Sequence, residues 1–229
     1  MTQPPQTPPL LESTDSKFVV VQSGLEMVDA LAHIQRESFP DLSPTELMRA
    51  EHYASQIGVF PEGQHALLER SSGKVVAAST DLRARVDFSH YQHRYMDAVD
   101  NNYIRNHDPS GDWLYGADIG VLPEFRGFKL SSLLYQARHA LIRRLKLRGH
   151  VAGAMPKGYG AYSSTAHPGE RGIEQYVFKV ARGEISDPVL SVVFKRGYAP
   201  YGIIPDYLED ASCGNFGVFV VWRNPEMTR

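Results

Sequence analysis

The order of apolar runs predicts a mixed α/β (α+β) fold, with a central, mainly antiparallel sheet of about seven strands flanked by helices. Three observations predict it. The elements read β, α, α, β, β, β, α, β, α, β, β along the chain. A hairpin precedes the one clear strand-helix-strand crossover, which makes the middle of the sheet mixed rather than doubly wound. Residues 113–149 (WLYGADIGVLPEFRGFKLSSLLYQARHALIRRLKLRG) read as a strand, a short basic loop and a long amphipathic helix.

In order, residues 1–16 hold four of the 15 prolines and little that can be buried, so they are expected to form a disordered leader before a single domain over 17–229. KFVVV (17–21) is the first strand. A helix over about Leu25–Phe39 ends at Pro40. A second helix over 41–57 has Ser43 as N-cap, Pro44 at the first helical position and Glu46 three residues after the cap. HALLER and VVAASTDLRARV form a hairpin around Ser72-Gly73. The stretch 87–108, dense in Tyr, His and Asn, is an insertion, either helical or a long loop.

In the long helix Leu130, Leu133, Leu134, Ala137, Leu141, Ile142 and Leu145 make one buried stripe. Gly149 is its expected left-handed C-cap, and Arg143, Arg144, Lys146 and Arg148 sit where the helix dipole favours cations. HVAGAM is the next strand, and 157–172 is a Gly-, Ser- and Tyr-rich loop. One helix runs from Ile173 to Gly183 and another opens at Asp187-Pro188 and ends at Gly197. YAPYGII and NFGVFVVW are the last strands.

The 229 residues are 42% hydrophobic and 22% charged, with a formal net charge of -2, so no global attraction to nucleic acid or anionic lipid is expected. The single Cys213 excludes an internal disulfide, and its polar loop makes it a bystander rather than a nucleophile. With no apolar run of spanning length and no signal-peptide pattern, a cytoplasmic protein without a membrane partner is expected. The basic run RRLKLR reads as a solvated helix face. His90-x-x-His93 and His107-Asp108 lack a further ligand at a telling spacing, so no metal is expected. The insertion instead shapes an acceptor pocket or a contact in a homodimer.

The loop EFRGFKLSS presents backbone N–H groups at a helix start, a site suited to phosphate. On these residues the chain resembles the GNAT superfamily of acyl-CoA-dependent N-acyltransferases. That family's signature runs from a strand ending in an apolar residue and Pro, through R/Q-x-x-G-x-G/A, into a helix. It falls on VLPEFRGFKLS, with Arg126, Gly127, Phe128, Lys129, Leu130 and Ser131 on the six motif positions. The likeness in element order extends over nearly the whole chain after Lys17, and KRGYAPYG is similar to the end of the family's last helix and the strand after it.

The resemblance implies a GNAT-like sheet splayed at its two central parallel strands, acetyl-CoA or another acyl-CoA as co-substrate, and an amine acceptor. The six motif residues would surround the pyrophosphate. Ile119, Gly120 and Val121 would pair with the pantetheine amides, and the Val121 N–H would hold the oxyanion. Two features depart from the pattern. The family's usual glycine falls on Lys129 and its final Gly/Ala on Ser131; a lysine fits only if that position needs no positive φ. The tyrosine that often serves as general acid falls on Val193.

Acyl transfer to an amine needs a base, an oxyanion donor and an acid for the thiolate. Asp118, in the otherwise apolar or small stretch LYGADIGV, is the candidate base, because such surroundings raise a carboxylate's pKa. The competing reading is a structural carboxylate satisfied by backbone or a basic side chain. Tyr159 and Tyr162 are candidates for the acid, against packing aromatics in a loop. N-acetyl transfer by direct attack on the thioester is therefore the leading expectation, and acyl-CoA binding without turnover is the alternative. A dinucleotide-binding domain is opposed by the missing G-x-G-x-x-G.

Overall fold

In the computed structural model, which describes residues 10–227 with the exception of Asp15, eight strands form one sheet in the order β1-β2-β3-β4-β5-β6-β8-β7. The strands are β1 (Leu11–Glu12), β2 (Phe18–Gln22), β3 (Gln64–Glu69), β4 (Val75–Ala84), β5 (Trp113–Val121), β6 (Gly149–Ala154), β7 (Ala199–Ile204) and β8 (Gly217–Arg223). The helices are α1 (Val28–Ser38), α2 (Ala50–Val59), α3 (Tyr95–Ala98), α4 (Ser131–Arg144), α5 (Tyr159–Thr165), α6 (Ile173–Ala181) and α7 (Leu190–Lys195). All neighbouring strands are antiparallel except β5 and β6, as a strand-helix-strand crossover through α4 requires.

Both faces of the sheet are covered. Phe18, Val20, Leu67, Val76 and Ala77 pack on Leu130, just before α4, and on Leu134 and Ala137 within it. The alternate residues Val19, Val21, Ala66 and Ala78 join the larger cluster with Leu31 and Ile34 of α1 and Tyr53 of α2. Strands buried on two sides in this way read as apolar at successive positions rather than alternately polar.

The structure corrects several expectations. Leu11 and Glu12, inside the segment read as a disordered leader, pair with Val20 and Val19 as an eighth, edge strand; residues 1–9 lie outside the described residues. The second helix starts at Ala50, not near Ser43. Glu46 is drawn away to accept from the Glu209 N–H at 2.9 Å, Met48 is buried in the core, and His52 Nδ1 caps the Arg49 N–H at 3.0 Å. The left-handed residue that ends α4 is Lys146 (φ 54°), while Gly149 already belongs to β6. The 157–172 loop contains α5. Within 87–108 only α3 and a single 3-10 turn over Phe88–His90 are regular. The last helix begins at Leu190, with Asp187 Oδ1 accepting from the Val189 and Leu190 N–H groups at 2.8 and 2.7 Å.

Candidate active site

β5 and β6 pair only at Leu114 with His150 and at Tyr115 with Val151. Beyond these pairs the strands part, and a slot opens between Gly116–Ile119 on one side and Ala152–Met155 on the other. Two features set its walls. The first is a β-bulge. Thr80 lies opposite Asp118 and Asp81 opposite Gly116, leaving Ala117 as the extra residue on β5.

The second is a buried ionic group beneath the bulge. Arg138 of α4 donates from Nε to the Asp81 carboxylate at 2.9 Å, and from Nη2 to the Thr80 carbonyl at 3.2 Å and to the Asp118 carbonyl. Asp81 also receives His150 Nε2 at 3.1 Å. The guanidinium therefore takes up carbonyls beside the bulge, and Asp81 joins α4, β4 and β6. Burial would raise the Asp81 pKa, but the charge of Arg138 and the His150 hydrogen bond hold it below its ordinary value. His150 reaches Asp81 across β5 only because residue 116 is glycine: a Cβ there would lie 2.5 Å from His150 Cε1.

Asp118 points to the other face of the sheet. Its Oδ2 lies 3.4 Å from the Tyr53 hydroxyl, which also lies 3.3 Å from Gln35 Oε1. Burial raises the Asp118 pKa to about 7, with Arg138 opposing. Asp118 borders two cavities that meet at the slot. One, of about 120 Å³, faces α4 and α7 and is walled by Tyr135, His150, Val193 and Tyr198. The other, of about 40 Å³, faces α1 and is walled by Gln35, Tyr95 and Tyr207. Phe39, Ala117, Gly153 and Met155 border both. A carboxyl group that titrates near neutrality thus sits between two openings on opposite faces of one sheet.

The β5 residues are placed to meet a ligand edge-on. The Leu122 N–H donates to the Val76 carbonyl at 3.0 Å, so alternation turns the Val121 N–H to the opposite edge of β5, towards the slot. The Val121 carbonyl receives Ser38 Oγ at 3.3 Å and Arg126 Nε at 3.4 Å. Gly120 packs against α1; a Cβ there would lie 2.8 Å from Ser38 Oγ. Ile119 lines the larger cavity.

The loop into α4 has Arg126, Gly127, Phe128 and Lys129 exposed, Leu130 buried, and no side-chain cap at the helix start. Phe128 is 63% exposed and flanks an open cavity of about 480 Å³ that also touches Lys129, Leu130 and Ser132. Ser131 is the first residue of α4. The condition set for Lys129 is not met: it lies at φ 59°, the left-handed region, like Gly127 at φ 88°. The chain stores strain there that the family's glycine avoids. Lys129→Gly is expected to stabilise the fold by about 0.5–1 kcal/mol, which thermal unfolding reads as a rise of roughly 2 °C.

The Tyr159 hydroxyl donates to the Arg171 carbonyl at 2.9 Å and that of Tyr162 to the Glu170 carbonyl at 3.0 Å. Neither ring borders the two slot cavities. Val193 does border the larger one, so the face where an acid is expected carries an aliphatic side chain. The phenols that border it are Tyr135 and Tyr198, both with pKa raised by burial. Sequence reasoning missed Asp81, Arg138, His150 and Tyr53. Arg138 carried a signal: it falls among Leu134, Ala137, Leu141 and Ile142 on the buried stripe, where a charge demands a buried partner.

Elsewhere, Cys213 is buried and its thiol is pushed up to about 12 by burial, so it is inert. His90 is engaged by Asp87 and His93 by Tyr115, and among the described residues no group of three or more His, Cys, Asp or Glu is arranged to hold a metal ion. No helix among the described residues is long and apolar enough to cross a membrane.

No family model matches the chain. A Bacillus subtilis (strain 168) protein named "Uncharacterized N-acetyltransferase YkwB" is 34% identical over 198 residues, which cover 86% of this chain and 84% of that protein. "Probable hydrolase YhcX" of the same organism is 30% identical over 220 residues, 94% of this chain; the chain spans only 41% of that relative's length. Among solved structures, the loading GNATL domain of CurA from Lyngbya majuscula superposes with a TM-score of 0.74 at 18% identity, over 91% of this chain and 98% of that one. The GphF GNAT-like decarboxylase in complex with isobutyryl-CoA superposes with a TM-score of 0.72 at 22% identity, over 90% of this chain and 98% of that one. These two likenesses are of fold.

Proposed function

The chain belongs to the GNAT superfamily of acyl-CoA-dependent N-acyltransferases, and from that premise we propose that it transfers an acyl group, acetyl in the first instance, from acyl-CoA to a primary amine. The observation that carries this reading is Asp118: a buried carboxyl of raised pKa, between two cavities that open on opposite faces of the sheet. The residues fit the co-substrate. An uncapped helix start and the basic loop Arg126–Lys129 suit a pyrophosphate. The slot-facing edge of β5 suits the pantetheine amides and leaves the thioester near Asp118.

In this reading the amine enters from the α1 side and Asp118 accepts a proton from the ammonium. The freed nitrogen attacks the thioester carbon, and the Val121 N–H holds the developing oxyanion. The carbon–sulfur bond breaks and the thiolate takes up a proton. Tyr159 and Tyr162 remain candidates for that acid only if their hydroxyls leave the carbonyls of Arg171 and Glu170. One observation favours a second reading, acyl-CoA binding without turnover: the aliphatic Val193 on the thioester side.

The test is release of CoA thiol from acetyl-CoA and longer acyl-CoAs with a panel of amines. Tight acyl-CoA binding with no release on any amine establishes the second reading and ends the first. Arg126→Glu is expected to weaken CoA about ten- to a hundredfold, since it sets a negative charge beside the phosphates. Equal affinity in calorimetry would remove the loop from the cofactor site.

A further inference from the structure

The chemistry proposed above has a surplus proton. An ammonium that becomes an amide nitrogen gives up two, the thiolate takes one, and the other must leave a buried slot at every turnover. We infer that it leaves along the α1-side face of the sheet through Tyr207, Tyr115 and His93, from the α1-side cavity to a separate cavity beneath the 87–108 insertion. The inference rests on the acyl-transfer reading.

The geometry is a directed chain. The Tyr207 and Tyr115 hydroxyls are 3.0 Å apart, Tyr115 Oη is 2.8 Å from His93 Nε2, and His93 Nδ1 is 2.7 Å from the Tyr91 carbonyl. A carbonyl only accepts, so Nδ1 carries the hydrogen and the neutral ring leaves Nε2 as an acceptor. Tyr115 then donates to Nε2, and Tyr207 donates to Tyr115. Every O–H points away from the slot. Tyr207 shares the α1-side cavity of about 40 Å³ with Asp118, enough for a water between them.

At the far end, His93 and Tyr115 both border a second cavity, of about 210 Å³, whose walls include Arg85, Asp87 and His90. The chain therefore runs from one cavity to another through a buried phenol pair. A proton bound at Tyr207 Oη sends that group's own proton to Tyr115, and Tyr115 sends its proton to Nε2. The imidazolium then releases the proton gained at Nε2 to water in the second cavity, which His93 and Tyr115 both border, while Nδ1–H stays on the Tyr91 carbonyl and the hydroxyls turn back.

The groups that face His93 are Tyr115 from β5, Tyr207 from the segment after β7, Asp97 from α3, and Arg85, Asp87 and His90 around the cavity. Asp87 is itself engaged by His90 at 2.9 Å, which leaves Asp97 as the acidic group acting on the ring. Burial nevertheless holds the His93 pKa below its ordinary value, so the ring passes a proton on rather than storing it.

The test uses the full chain. Tyr115→Phe and Tyr207→Phe each delete one hydroxyl from a packed ring. With acetyl-CoA and an accepted amine, each is expected to lower kcat about tenfold at unchanged KM for acetyl-CoA. His93→Ala should behave alike and be partly restored by imidazole in the buffer, which a purely structural loss would not be. Native kcat in both Phe variants, or a loss in His93→Ala that imidazole leaves untouched, overturns the relay. Nitrogen NMR of His93 decides independently of turnover. The Nδ1–H tautomer, with an Nε2 signal that moves in Tyr115→Phe, is expected; an Nε2–H tautomer overturns the direction of the chain. A native chain that transfers nothing counts against the acyl-transfer reading, while the tautomer still decides the relay.

Discussion

Asp118→Asn is expected to cut acyl transfer at pH 7 by roughly a hundredfold or more while acyl-CoA affinity stays near that of the native chain, because the amide keeps the shape of the carboxyl and loses its basicity. The native kcat/KM should rise with pH through an acidic limb centred near 7, the value to which burial pushes Asp118. The Asn variant should lack that limb. The same shift carries a stability consequence. A carboxyl whose folded pKa is above its unfolded value favours the folded state while protonated, and that advantage is lost as pH rises from the ordinary carboxylate range through about 7. Denaturant titrations should therefore find Asp118→Asn more stable relative to the native chain at pH 8 than at pH 5. If acyl-CoA affinity and turnover collapse together, Asp118 is structural.

Arg138→Met is expected to be the most destabilising of the substitutions considered, at about 3–5 kcal/mol, against a typical domain stability of about 5–15 kcal/mol. It leaves the fully buried Asp81 carboxylate without its cation and frees the carbonyls of Thr80 and Asp118 beside the bulge. Arg138→Lys should recover little, since one ammonium cannot copy a planar fork that reaches Asp81 and two carbonyls. Removing both charges, Arg138→Met with Asp81→Leu, should recover much of the stability lost by Arg138→Met alone. It should not recover turnover, because the bulge that sets Asp118 has lost its clamp. Additive losses in chemical denaturation would mean the pair contributes no coupling.

The elements legible in the sequence were those set by local rules. The α4 stripe, the turn at Gly73, the closure of α6 and α7 at Gly183 and Gly197, and the order of strands need only periodicity and turn chemistry. The misplaced boundaries were decided by partners far along the chain. Glu46 is held by the Glu209 N–H, 163 residues away, and Leu11–Glu12 is a strand only because β2 offers an edge. The site divides in the same way. The 126–131 loop and Asp118 lie within one contiguous stretch, so the sequence can offer both as candidates; Asp81, Arg138, His150 and Tyr53 come from four different elements and meet only in three dimensions. The strain at Lys129 was posed as a question by the motif, but only backbone angles answer it.

The two register pairs between β5 and β6 make the sheet a seamed object rather than a continuous one. On one side of the seam lie the five strands up to β5, and on the other the three from β6. Side-chain links through Asp81 and His150 and a short run of backbone hold the closed end. A guest lying along the open edge of β5 would supply the missing rungs and tie the two flanks together. Saturating acyl-CoA should then do more than raise the melting temperature by mass action. It should slow hydrogen exchange on both flanks of the seam together, at Gly116–Val121 and at Ala152–Ala154, whereas a ligand held by the α4 loop alone would protect only the first.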